Sequence, residues 1–286
     1  MTSIPYGLLA HAPQPALERA PTVLVVGTGF LALLLVAAFW STVRWAITIA
    51  HEGGHALFLS VLGGTVASIT LGKPAGAAGL TTSKKGVSGG SHVLVAVAGY
   101  TGPSLFGVLA AILLSVGRSA PVLWISVFLL AMVLLQVLAT WNPFGVFAVL
   151  TTGTILVLFA RYGSPLTRTI AAHTWTWLLL IGGFWHVVGF RRMRRAAIQA
   201  ARKSKNKDKD KDKELKSDAR VLRDLTHIPE PLWVFVFLVA TLAALIFGGG
   251  VLLGSFGPQA DRPSSPASPS VGAAQVCAGE EVASRP

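Results

Sequence analysis

His51, Glu52 and His55 are the residues of this chain whose types and spacing can do chemistry. In a helix, positions i and i+4 share a face, so the two imidazoles can point at one ion. Glu52 stands beside them, suited to act as general base on a water held by that ion. The pattern predicts a zinc hydrolase, and the apolar residues on both sides place it inside a membrane. Gly53 and Gly54 each cost a helix about 1 kcal/mol relative to alanine. Their lack of a side chain leaves room for a substrate or a neighbouring helix to come close.

A catalytic zinc has three protein ligands and one water, so His51 and His55 need a partner. Between Glu18 and Asp208 the only carboxylate is Glu52. Burying a carboxylate at mid-membrane costs about 2.5 kcal/mol or more, so such a group is a functional candidate by default. The competing reading is a polar cluster that packs the spans together. A carboxylate third ligand has to come from position 208 or later. Asp208, Asp210 and Asp212 fall in a mixed-charge run, and Asp261, Glu280 and Glu281 in the far tail. Asp218 and Asp224 lie just before the last apolar stretch; Ser217 or Asp218 equally suits a helix N-cap. Among neutral groups, Asn142, His186 and His227 are further candidates. The single cysteine, Cys277, lies in the tail, which excludes a cysteine-built metal site and an internal disulfide framework.

The elements that must position these groups are membrane spans. Of 286 residues, 52% are hydrophobic and only 13% charged, well below the roughly 25% charge of a soluble domain. Apolar runs predict an all-α polytopic membrane protein of about seven transmembrane helices, at roughly 22–41, 44–63, 93–117, 120–140, 144–161, 168–190 and 231–254. Six are possible, because the second run is broken by the metal motif and the sixth carries His173, His186 and several Trp residues. After the motif helix, Gly64 to Gly72 and Gly79 to Ser83 read as two short strands around a Gly/Pro-rich turn, a small β-hairpin. It is either a connector or an exposed strand edge that an extended peptide could pair with.

The organisation along the chain is then an N-terminal cytoplasmic tail (1–21), a membrane core with the zinc motif on its second span (22–190), a basic and partly disordered cytoplasmic loop (191–223), a final span (224–254) and a disordered C-terminal tail (255–286). No secretory signal is evident in residues 1–21, so the first span is expected to remain as an anchor. The net charge of +12 is concentrated: residues 191–223 hold fourteen Lys and Arg directly after a span. That placement marks a cytoplasmic side rather than nucleic-acid binding. It predicts a multi-pass plasma-membrane protein with the N-terminus and basic loop cytoplasmic and the C-terminal tail outside. The Lys-Asp run 203–216 is expected to be a solvated linker; contact with anionic membrane lipids is the functional alternative.

These residues resemble the site-2 protease family of intramembrane zinc metallopeptidases, in its small bacterial, actinobacterial-type branch without a PDZ domain. The resemblance rests on His51 to His55, on the hairpin that follows, on the Gly-rich stretch Ala98 to Gly107, and on Ser217 to Leu222 with Leu225 to Pro229 and Trp233. It covers roughly residues 40–145 and 217–254. It implies Zn2+ on His51 and His55, Glu52 as catalytic base, and hydrolysis of peptide bonds in membrane-protein or membrane-proximal peptide substrates. One departure matters. The family's usual third ligand is an Asp after an Asn-Pro pair on a later span, and Trp141 to Gly145 contains no Asp. Asp218 can substitute if its loop folds back to the motif helix. Two other function classes remain: a catalytically inactive membrane scaffold that retains the protease fold, and, more weakly, a transporter, for which the two halves show neither a repeat nor paired broken helices.

Overall fold

The computed structural model describes residues 19–72, 79–203 and 217–255. Most of the N-terminal tail, most of the Lys-Asp run with Asp208, Asp210 and Asp212, and the C-terminal tail with Asp261, Cys277, Glu280 and Glu281 lie outside the described residues. The described chain is all-α apart from one hairpin: α1 (Thr22–Ala38), α2 (Trp40–Val61), β1 (Thr65–Thr70), β2 (Leu80–Lys85), α3 (Gly90–Ser115), α4 (Ser119–Leu138), α5 (Pro143–Tyr162), α6 (Pro165–Lys203), α7 (Asp218–Thr226) and α8 (Glu230–Leu252).

Helices α3, α4, α5 and α8 are each long and apolar enough to cross a membrane. Their outward faces expose large apolar side chains, among them Phe128, Leu135, Phe235 and Ile246, as lipid contact requires. The chain is therefore a multi-pass membrane protein. Against the expected seven, or six, the described residues hold four spans by length and apolar composition, or five if α1 and α2 form one bent span. The two runs expected at 22–41 and 44–63 meet at Phe39, which leaves helical geometry (φ −122°, ψ 33°), and the axes turn by 107°. Helix α6 covers the run expected at 168–190, but Arg168, His173 and His186 dilute its apolar character. It also continues through 191–203, where a loop was expected, because the Ala- and Arg-rich sequence there consists of good helix formers. The expected loop is helical again from Asp218.

Helix α3 lies against α2, α6 and α8, and small residues make that possible. A Cβ on Gly54 would lie 3.2 Å from the Ala98 carbonyl carbon and 3.3 Å from Gly102 Cα. Helices α2 and α3 thus meet backbone to backbone, as small-residue interfaces in membranes allow. This fixes the motif helix against its neighbour.

The hairpin is antiparallel, with Ile69 opposite Thr81 and Thr70 opposite Leu80. Its β1 side is held to the α4–α5 corner: Thr140 Oγ1 donates to the Ile69 carbonyl (3.2 Å) and Asn142 Nδ2 to the Leu71 carbonyl (2.8 Å). Ile69 is fully buried, so β2 is carried over the face of α2.

Helix α7 is short and amphipathic. Ser217 caps its start by accepting from the Arg220 N–H (3.3 Å), and His227 ends it in the left-handed region (φ 58°). Ala219 and Leu222 are fully buried in a cluster with Ala96, Val187 and Phe237, which docks α7 onto α3, α6 and α8.

Candidate metal centre

His51 and His55 lie one turn apart on α2, with ring centroids 4.9 Å apart. Asp218, 163 residues beyond His55 in sequence, places a single carboxylate oxygen, Oδ2, 3.1 Å from His51 Nε2 and 3.2 Å from His55 Nε2. Two donors about 2.0–2.1 Å from a tetrahedral zinc are separated by about 3.4 Å. The observed spacings match that geometry to within about 0.3 Å, and the three donor atoms form a group that can hold a metal ion.

The chemistry of the donor set points the same way. His55 Nδ1 is 2.8 Å from the Val95 carbonyl. A carbonyl only accepts, so Nδ1 carries the hydrogen and donates it, leaving Nε2 to face Asp218. Each Nε2 meets the carboxylate oxygen through a proton on the ring or through a cation in its place. A metal-ligating histidine commonly donates its other nitrogen in this way. Burial acts to raise the Asp218 carboxyl, but the imidazoles of His55 and His51 outweigh it and hold the group well below the usual carboxylate range. Asp218 therefore stays ionised and suited to ligation. Gly99 on α3 completes the fit: a Cβ there would lie 2.9 Å from His51 Nε2 and closer still to the His55 ring.

Glu52 is buried beside this group (2% exposed). Thr81 Oγ1, from β2, donates to its Oε2 at 2.6 Å. Gly79, one residue before β2, packs so closely on the Glu52 carboxyl that a Cβ would stand 2.6 Å from its Cδ. The hairpin thus sets the carboxylate's position from above.

These groups open onto a cavity of about 600 Å³, within the range of ligand-binding sites. Its walls come from α2, β2, α3, α6 and α7, and include Arg44, Leu80, Tyr100, Phe190 and Val221.

The other third-ligand candidates are elsewhere or engaged differently. Asn142 caps α5 by accepting from the Gly145 N–H (3.1 Å) while its amide holds Leu71. Asp224 is exposed and paired with Arg223 at 2.8 Å, and His227 is a helix C-cap. His186 comes nearest: its ring stacks on His51 at 5.5 Å, interplanar angle 7°, and lines the cavity without joining the three-donor group. No spacing rule ties Thr81 or the Val95 carbonyl to the motif, so neither was legible in the sequence.

A model of the Peptidase M50B-like family matches residues 24–248. No curated protein and no solved structure matches the chain.

Proposed function

The chain belongs to the Peptidase M50B-like family, within the site-2 proteases, and from that premise we propose that it is an intramembrane zinc metalloendopeptidase acting on membrane-associated protein substrates. The observation that carries this reading is the arrival of Asp218 Oδ2 within 3.2 Å of both motif histidines. His51, His55 and Asp218 hold the zinc. When bound, zinc supplies Lewis acidity, lowering the pKa of a water and polarising the scissile carbonyl. Glu52 accepts the proton of the attacking water and returns it to the leaving amide nitrogen. Thr81 fixes one oxygen of Glu52 by its hydrogen bond, so the other is the one available to the reaction. The buried setting limits bulk water around the base (Glu52 2% exposed).

A helical peptide bond is shielded by its own hydrogen bonds, so the substrate unwinds locally before cleavage. Among the described residues β2 pairs only with β1, and Leu80, Thr81 and Ser83 line the cavity. An extended segment of substrate can pair with that free edge. The basic end of α6 is assigned to the cytoplasmic side of the plasma membrane on its Arg content.

Two measurements decide the matter: zinc per protein in the wild type and in the double variant His51→Ala with His55→Ala, and cleavage of a membrane-anchored reporter in proteoliposomes by wild type and Glu52→Gln. The expected result is one zinc per wild-type chain, none in the double variant, and zinc without cleavage in Glu52→Gln. A wild type without zinc refutes the reading. Processing in cells that persists unchanged in Glu52→Gln identifies the chain as a scaffold.

A further inference from the structure

Asp218 reaches the centre on a nine-residue helix, and an isolated helix of that length is unstable. Its position is therefore set by tertiary contacts. One set is apolar: Ala219 and Leu222 in the cluster with Val187 and Phe237. The other is polar and ends on the residue next to the ligand. Arg194, near the end of α6, grips Glu230 at the start of α8 with both ends of its guanidinium, Nε to Oε1 at 2.9 Å and Nη2 to Oε2 at 3.1 Å. Glu230 Oε1 in turn accepts from Ser217 Oγ at 3.3 Å. Ser217 Oγ also accepts from the Arg220 N–H, so one hydroxyl ties the first turn of α7 to the α6–α8 pair.

Resting on the metal reading above, the geometry points to Arg194 and Glu230 as positioning residues of the metal centre: acting through Ser217, their ion pair sets where Asp218 stands relative to His51 and His55. Neither residue lines the cavity. Ser217 is one peptide unit from Asp218, so its anchor acts on the turn of α7 that carries the ligand. Metal–ligand distances tolerate only about 0.2 Å. The bidentate fork of arginine fixes both the distance and the plane of the Glu230 carboxylate, which lysine cannot reproduce.

The test uses the full chain in detergent micelles, with zinc affinity measured by chelator competition and the ligand field read from the visible spectrum of the Co2+-substituted protein. Glu230→Gln and Arg194→Lys are each expected to weaken zinc binding about ten- to hundred-fold and to move the cobalt spectrum toward that of Asp218→Asn. The double variant Arg194→Glu with Glu230→Arg is expected to recover part of the loss. Asp224→Asn, in an exposed ion pair, is expected to match the wild type in both readouts. If Glu230→Gln does not fold, Arg194→Lys, which keeps the charge, decides. Wild-type zinc affinity and cobalt spectrum in Arg194→Lys, whatever its melting temperature, overturn the proposal while leaving the metal reading intact. A wild type that binds neither ion overturns both.

Discussion

Replacing Gly79 with alanine should disable the base without touching the metal. A Cβ at this position would lie 2.6 Å from Glu52 Cδ and nearer still to Oε1, whereas carbon atoms in contact sit about 3.5 Å apart. The carboxylate must therefore retreat by roughly 1 Å. A misplacement of that size can cost about 100-fold in rate, equivalent to about 2.7 kcal/mol of barrier. The assay is kcat/KM on a membrane-anchored reporter with zinc content measured on the same sample; zinc should stay at the wild-type level, because the ligand set is His51, His55 and Asp218. Gly99→Ala is the converse. Its Cβ would meet both motif imidazoles, so zinc and activity should fall together. Gly53→Ala is the internal control, since a Cβ there meets only Val133 Cγ2 at 3.4 Å and the helix gains about 1 kcal/mol of propensity. Gly79→Ala with wild-type kcat/KM, or Gly53→Ala as damaging as Gly79→Ala, would refute the reasoning.

Thr81→Val removes the 2.6 Å bond to Glu52, a bond to a charged group worth about 1.5–3 kcal/mol; steady-state kinetics should show kcat lower by roughly 10- to 150-fold with zinc retained. Leu222→Ala empties a fully buried position under α7 at a cost of about 2–5 kcal/mol, and chelator competition should show weaker zinc binding although Leu222 is no ligand. Asn142→Ala deletes the α5 cap and the hold on Leu71; a loss of about 1–2 kcal/mol in thermal melting with unchanged zinc affinity would separate this residue from the metal set.

How far each feature could be read in the sequence depends on how local its cause is. His51, Glu52 and His55 were legible because helical periodicity alone brings them to one site. The hairpin was legible because a Gly/Pro-rich turn divides two short runs rich in Val, Ile and Thr. The ends of α3, α4, α5 and α8 were legible to within a few residues because bilayer thickness sets their length. The boundary between α1 and α2 was read within a few residues of Phe39, but the 107° turn there was not, since no proline or glycine marks it. Acid scarcity reduced the third-ligand candidates to a few. Choosing Asp218 over Asp224, Asn142 and His186 required knowing where α7 docks, which depends on Leu222, Val187 and Phe237 meeting across three helices. Asn142 misled for a local reason: an Asn followed by Pro143 is also a helix start, and that is the role it fills.

The centre has two parts held by different forces, and this bears on how it assembles. His51 and His55 sit on a helix locked to α3 by backbone contact at Gly54 and Gly102, so their spacing is fixed before any metal arrives. Asp218 sits on a short helix whose place depends on a small apolar cluster and an ion pair. On the proposed reading, zinc is the tie between the two parts. A ligand that binds only the docked form stabilises it by mass action, and the coupling is reciprocal: whatever loosens α7 weakens zinc binding, to the extent that it lowers the docked fraction. Substitutions beneath α7 and chelation of the metal should therefore converge on one state, in which α7 is undocked and the motif pair on α2 is unchanged.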